Sequence, residues 1–246
     1  MENKRTEKDF VVDCGGIQMP KAEQAFNTEI VFILDASGSM HGLESDTVGG
    51  VNCILEEQKK VQNGGTMYVS TVIFNTVSTV VHDRVEIAKV EPMSVEKYTV
   101  GGCTALYDAV GDAIRHISNI HKYARKEDVP QKTLFVIMTD GMENASRRYG
   151  LSEVKRMIAQ RQEKYGWEFM FLAANIDAGA AAENLGISRE RAVDWNADGD
   201  GVQVLYECTN AYIDNARRGK KYSRALFDGV DRDYQDRKKK NKTEDK

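Results

Sequence analysis

Proline is nearly missing from this chain, with three residues in 246, and no Gly/Ser-rich stretch or internal repeat takes its place. Nothing in the composition therefore marks a flexible linker or a solenoid. No run approaches the roughly 18 apolar residues that a membrane helix needs, so no span is expected. The first twenty residues mix both charge signs and lack an apolar h-region. No secretory signal is expected there, and the cytoplasm is the default location. Cysteines are few: Cys14, Cys53, Cys103 and Cys208 lie far apart with no C-x-x-C pair. That spacing excludes a zinc knuckle and makes reduced thiols the expectation. A basic surplus is also lacking. The net charge is −4, and from Arg217 onward twelve Lys/Arg stand against six Asp/Glu, leaving +6 on the tail and −10 on the body. An acidic body argues against a dedicated nucleic-acid surface. The nucleotide-binding patterns G-x-x-x-x-G-K and G-x-G-x-x-G are absent, as is a G-x-S-x-G nucleophile elbow.

What is present suits one α/β domain of roughly 200 residues with a well-buried core. Glu29 to Asp35 is continuously apolar until its closing carboxylate, the pattern of a parallel strand buried on both faces. Gly42 to Val61 carries Val48, Val51, Ile54 and Leu55 at helical spacing and stops at Asn63-Gly64-Gly65. Met67–Phe74 and Val77–Val81, joined by Asn75-Thr76, read as an antiparallel hairpin. Thr104 to His121 carries an amphipathic stripe from Leu106 to Ile120. Strand–helix units follow: strand 133–138 with helix 152–165, strand 167–173 with an Ala-rich helix 178–185, and a short strand at 191–195 with a last helix over 201–215. The expected fold is a Rossmann-like, doubly wound, mostly parallel sheet with one antiparallel edge strand and helices on both faces. The expected organisation is an irregular arm over 1–27, a domain over 28–215, and a basic, disordered tail over 216–246. The terminal RKKKNKTEDK reads as a solvated end, with a partner-binding or nucleic-acid-binding tail as the alternative.

Two of the buried strands end in carboxylates that open glycine-containing loops, Asp35-Ala36-Ser37-Gly38-Ser39 and Thr139-Asp140-Gly141. In an open α/β sheet such groups meet at the carboxyl ends of the central strands. Between them in sequence, Gly101-Gly102-Cys103-Thr104 can bring a hydroxyl to the same crevice. Two carboxylates and three hydroxyls, with no imidazole or thiolate, suit a hard cation, Mg²⁺ or Mn²⁺. The set Asp35-x-Ser37-x-Ser39, Thr104 in GGxTALYDA and Asp140 in a TDG turn resembles the metal-ion-dependent adhesion site of von Willebrand factor A (VWA) domains. The resemblance covers about residues 28–215. It implies Asp35, Ser37 and Ser39 as close metal ligands, with Thr104 and Asp140 in direct or water-mediated contact. Residues 171–177 also look like a segment of small bacterial members. The function this implies is non-enzymatic: the bound Mg²⁺ accepts an Asp or Glu from a protein partner.

Each of these residues has a plainer role open to it. Ser37, Ser39 and Thr104 could cap helices, and Asp140 could make an Asx-turn. An Mg²⁺-dependent phosphotransfer or hydrolase enzyme using the same site is the alternative function, and a scaffold with a vestigial site is a third. Asp35 at a strand end also resembles the nucleophile of haloacid dehalogenase-like phosphotransferases, but Ser37 stands where their second carboxylate belongs. His41, His82, His116 and His121 are scattered, with His116 and His121 expected to face solvent and His82 to end an edge strand. Asp194 to Gly201 has the early spacing of a calcium-binding EF-hand loop, but Leu205 replaces its closing glutamate, so an acidic turn capping the last helix is expected. Glu143 and Asn144 are placed either beside metal-bound water or as solvated loop residues.

Overall fold

The computed structural model describes residues 26–61 and 65–244, with side chains through residue 239. Most of the anticipated N-terminal arm lies outside these residues, as do Asn63 and Gly64 of the expected helix stop. Six strands, β1 (Thr28–Asp35), β2 (Met67–Phe74), β3 (Ser78–Glu86), β4 (Lys132–Thr139), β5 (Glu168–Ala173) and β6 (Ala192–Asp194), form one sheet in the order β3-β2-β1-β4-β5-β6. All neighbours are parallel except β2 and β3. The sheet is thus the expected doubly wound, mostly parallel one with a single antiparallel edge.

The continuously apolar strands are explained by the two cores they feed. In β1, Ile30, Phe32 and Leu34 enter one core while Val31 and Ile33 enter the other. β4 divides in the same way, with Leu134, Val136 and Met138 opposite Phe135 and Ile137. Side chains alternate along a strand, so the middle of a strand covered on both faces is apolar throughout, and the polar residues of β1 and β4 fall at their ends. The first core is closed by helices α1 (Glu44–Lys60) and α5 (Gly199–Arg217), through Val51, Ile54, Leu205 and Ile213. The second is closed by α2 (Leu106–Tyr123), α3 (Leu151–Tyr165) and α4 (Ala178–Asn184), through Ala109, Ile114, Ile158 and Ala182. Full burial of each of these Val, Leu and Ile side chains contributes about 1.5–3 kcal/mol.

Three expectations need correction. The edge strand β3 continues to Glu86, five residues past the hairpin arm read from sequence, because register shifts against β2 and a left-handed Arg84 (φ 49°) let it resume pairing. His82 does not end that strand. It is buried, with Nδ1 on the Thr71 hydroxyl at 3.0 Å and Nε2 on the Glu91 carbonyl at 2.9 Å. The basic tail is not an irregular end. After a short 3₁₀ turn (Arg224–Phe227), residues Asp228–Glu244 form helix α6. Phe227 and Val230 join the first core beside Tyr212 and Ile213, so the boundary placed at residue 215 falls inside the packed unit. The charge count hid this apolar pair, and the charges themselves are matched: Arg237 pairs with Asp233 one turn away and with Asp198 at the start of α5.

Candidate metal centre

The strand order reverses between β1 and β4, and the register sets Leu34 opposite Met138. Asp35 therefore ends β1 beside Thr139, and Asp140 is the next residue of β4, at the crevice where such sheets hold ligands. Asp35 is fully buried. Its Oδ1 accepts the Ser37 N–H at 2.7 Å and its Oδ2 accepts the Thr139 hydroxyl at 2.5 Å. Tyr98, on the segment before α2, donates its hydroxyl to the Asp35 carbonyl and so fixes the strand end from the other side.

The loop after β1 brings Ser37 and Ser39 back toward Asp140. Their hydroxyls lie 3.3 Å apart, and Ser39 donates to Asp140 Oδ1 at 2.6 Å. Thr104 arrives from the segment that opens α2. Backbone bonds from Gly38 N–H to the Gly102 carbonyl (3.2 Å) and from Gly101 N–H to the Ala36 carbonyl (2.9 Å) tie the two loops together. Gly101 and Gly102 have φ of +153° and +75°, conformations an L side chain rarely adopts. A side chain on Gly141 would begin 3.7 Å from both the Ser39 and Thr104 hydroxyl oxygens, which places those two hydroxyls around the same point. All five residues singled out in the sequence thus gather at one crevice.

Glu143 and Asn144 lie in the loop after β4, Asn144 exposed and Glu143 half-buried, and both are tied by hydrogen bonds. Asn144 Oδ1 accepts the Thr104 N–H at 2.9 Å while its own N–H donates to the Thr104 carbonyl at 3.0 Å. Glu143 accepts the N–H groups of Tyr107, Ala145 and Ser146 and the Ser146 hydroxyl, all within 2.9 Å. Both bind the loop after β4 to the first turn of α2 and so position Thr104 against Asp140. Thr139 and Tyr98 also hold Asp35 in place, and the sequence pattern did not single them out for it. Their hydroxyls matter only through register and tertiary approach, and no local spacing signals either.

The electrostatics favour a cation. Burial pushes the Asp35 carboxyl above its ordinary value, against hydrogen bonds from Thr139 and Ser37, and the nearby Asp140 pushes it further. Burial likewise raises Asp140, against the Ser39 hydrogen bond. Asp140 Oδ2 is buried with no hydrogen-bond partner among the described residues. A buried carboxylate oxygen left unpaired is costly, so this atom marks a missing positive group. An oxygen-only donor set with an orphaned carboxylate atom fits a hard divalent ion. Among the described residues no group of three or more His, Cys, Asp or Glu gathers to hold a metal, so no rival ion site of that kind competes. The EF-hand-like stretch is an N-cap: Asp198 accepts the Gly201 N–H at 2.8 Å and pairs with Arg237.

A family model described as "VWA domain containing CoxE-like protein" matches residues 17–179, and the chain belongs to that family. No curated protein matches it. Among solved structures, the vWF domain of the type V pili tip protein Mfa5 from Porphyromonas gingivalis is similar with a TM-score of 0.59 at 10% identity, covering 81% of this chain and 99% of that one. Proximal thread matrix protein 1 from the mussel byssus gives 0.55 at 18% identity, covering 77% of this chain and 46% of its own. Its form with a zinc-occupied MIDAS motif gives 0.52 at 17% identity over the same shares. The chain thus spans just under half the length of the mussel protein, and at these identities the likeness is one of fold.

Proposed function

We propose that this protein is a divalent-cation-dependent protein-binding module. Asp35, Ser37, Ser39, Thr104 and Asp140 hold the cation, and a carboxylate from a partner protein completes its coordination. The observation that carries the reading is the buried, unpartnered Oδ2 of Asp140 beside a second carboxylate and three hydroxyls. Mg²⁺ or Mn²⁺ suits this oxygen set, since either is held by one or two carboxylates and keeps waters that an incoming acid can replace. The bound ion supplies positive charge and an exchangeable position. The chain's own residues set the loops, exclude water from Asp35 and leave the Asp140 Oδ2 without a hydrogen-bond partner among the described residues. The zinc seen in the mussel protein's motif supports a divalent site of this type, although a set without imidazole or thiolate favours the harder ions. We further place the module in the cytoplasm, a reading supported by Cys53, Cys103 and Cys208 standing as free thiols.

Water-proton relaxation tests both parts. Mn²⁺ titrated into metal-free protein is expected to bind saturably, with Mg²⁺ competing and Asp140→Ala abolishing the effect. Adding an aspartate-containing peptide amide is then expected to lower the relaxation as bound water leaves, while the asparagine analogue does nothing. No saturable site would remove the cation, and an unchanged relaxation with the acidic peptide would remove the capture. Mg²⁺-dependent turnover of phosphate esters, lost in Asp35→Asn, would replace the reading with metal-assisted hydrolysis.

A further inference from the structure

The opposite, amino-terminal end of the sheet holds a cleft of about 500 Å³ between the ends of α2 and α3 and the turn that enters β4. Its cationic wall consists of Lys122 from the last turn of α2, Lys126 from the α2–β4 connection and Arg161 from α3, with the His121 imidazole beside them, and none of the described residues lining it is acidic. Glu29, at the start of β1, is already engaged by His121 at 2.6 Å and by Arg84 at 3.3 Å, and Glu127 and Asp128, which flank the cleft on the α2–β4 connection, pair with Arg125. Lys122, Lys126 and Arg161 form no ion pair among the described residues. The rest of the wall is apolar and aromatic, with Val129, Pro130, Tyr165 and Trp167.

Arg161 is the telling group. Its guanidinium carbon lies 5.1 Å from the Tyr165 ring centroid and 5.6 Å from that of Trp167. These ring faces hold the positive charge in place, but they do not satisfy its N–H donors. Its Nε is buried with no hydrogen-bond partner among the described residues. A buried guanidinium donor without an acceptor is costly, and an anion's oxygen is the group that would relieve it. Basic residues at helix C-termini often do no more than offset the helix dipole, which would account for Lys122 alone. Dipole compensation does not explain a buried donor in a cleft with three further basic side chains and no acid.

We propose that this cleft binds a small organic phosphate. The multiply charged phosphate sits among Arg161, Lys122 and Lys126, and its organic part lies along Val129, Pro130 and the exposed Tyr165. Three cations match a dianion better than a single carboxylate, and the planar guanidinium suits phosphate oxygens. An apolar wall favours an ester over the free ion. The site lies at the far end of the sheet from Asp140 and does not depend on the cation reading.

Trp167 is a built-in reporter, because a ligand that draws Arg161 away from the ring alters its emission. Metal-free protein in EDTA is titrated with phenyl phosphate, inorganic phosphate and benzoate at constant ionic strength while tryptophan fluorescence is followed. Phenyl phosphate is expected to give a saturable change at lower concentration than inorganic phosphate, with benzoate weakest. Arg161→Gln is expected to weaken phenyl phosphate by about tenfold or more, the factor for losing a strong charged contact. Lys122→Ala/Lys126→Ala, which keeps both Arg161 and the Trp167 reporter, is expected to weaken it comparably. No saturable change with phenyl phosphate, equal binding of benzoate, or unaltered affinity in the lysine double variant would each overturn the proposal.

Discussion

Asp35 and Asp140 differ in what their carboxylates already hold, and that difference separates their roles. Asp35 satisfies a backbone N–H and a threonine hydroxyl, both buried. Asp140 accepts one hydroxyl, and its second oxygen has no partner among the described residues. Removing Asp35 strands the buried Ser37 N–H and leaves the Thr139 hydroxyl only the Gly141 carbonyl at 3.0 Å, so Asp35→Ala is expected to destabilise the metal-free protein by about 1–3 kcal/mol. Asp140→Ala removes a poorly solvated charge and is expected to leave the metal-free protein as stable as wild type, or more so. If the site holds Mg²⁺, wild type is expected to gain Tm from the ion and both variants to lose that gain. Thermal melts in EDTA and in Mg²⁺ check this, and a large loss for Asp140→Ala in EDTA would mean that its carboxylate is structural. The five candidate residues were legible because each sits in a short local pattern: Asp35, Ser37 and Ser39 two apart after β1, Thr104 just before α2, and Asp140 in a TDG turn after β4. Thr139 and Tyr98 were not, since a threonine at a strand end and a tyrosine in a loop acquire their roles only when β4 pairs with β1 and the segment before α2 folds back.

The element that holds the site together is the clamp between α2 and the loop after β4. Asp108, in the first turn of α2, accepts the backbone N–H groups of Arg147, Arg148 and Tyr149 at 2.9–3.1 Å, while Glu143 reaches the other way to Tyr107. Burial alone would raise the Asp108 carboxyl, but these three N–H groups and the Arg148 charge outweigh it and leave it below its ordinary 3.8. A lowered folded value means stability that is present above 3.8 and lost as the pH falls through the depressed one. Asp108→Asn is therefore expected to destabilise at pH 7 by about 1–3 kcal/mol and to flatten the loss of stability below pH 4. Urea unfolding at pH 7, 4 and 3 checks it, and parallel curves for variant and wild type would show that the carboxylate is not the source. Glu143→Ala is expected to weaken Mn²⁺ binding without touching a ligand, because Thr104 loses its fixed approach to Asp140. The amphipathic stripe of α2 was readable in the sequence. The clamp was not, since its acceptors sit in a loop whose only local signal is polarity.

At the scale of the whole molecule, the switch in strand order brings three distant loops together, and the strength of both cores determines how firmly they stay there. The tail is part of the first core. Its composition, twelve basic residues against six acidic ones, has the signature of a solvated end. Yet Phe227 is fully buried against Tyr212 at a ring-centroid separation of 6.4 Å, and Val230 packs one turn further on. Average charge cannot reveal two apolar residues spaced to meet a helix, so composition misjudged a segment that packing retains. Were the tail an accessory arm, its removal would leave the melting curve alone. If it closes the first core, Phe227→Ala opens a cavity beside α5 and costs about 3–5 kcal/mol. That loss falls on the face of the sheet that carries α1 and α5, so Mn²⁺ affinity well below the melting temperature is expected to stay within about twofold of wild type, as for sites that share no partners. Urea unfolding and a Mn²⁺ titration on the same variant separate the two effects. A loss of binding as large as the loss of stability would instead mean that α6 sets the position of the loop after β1, making the tail part of the site's architecture.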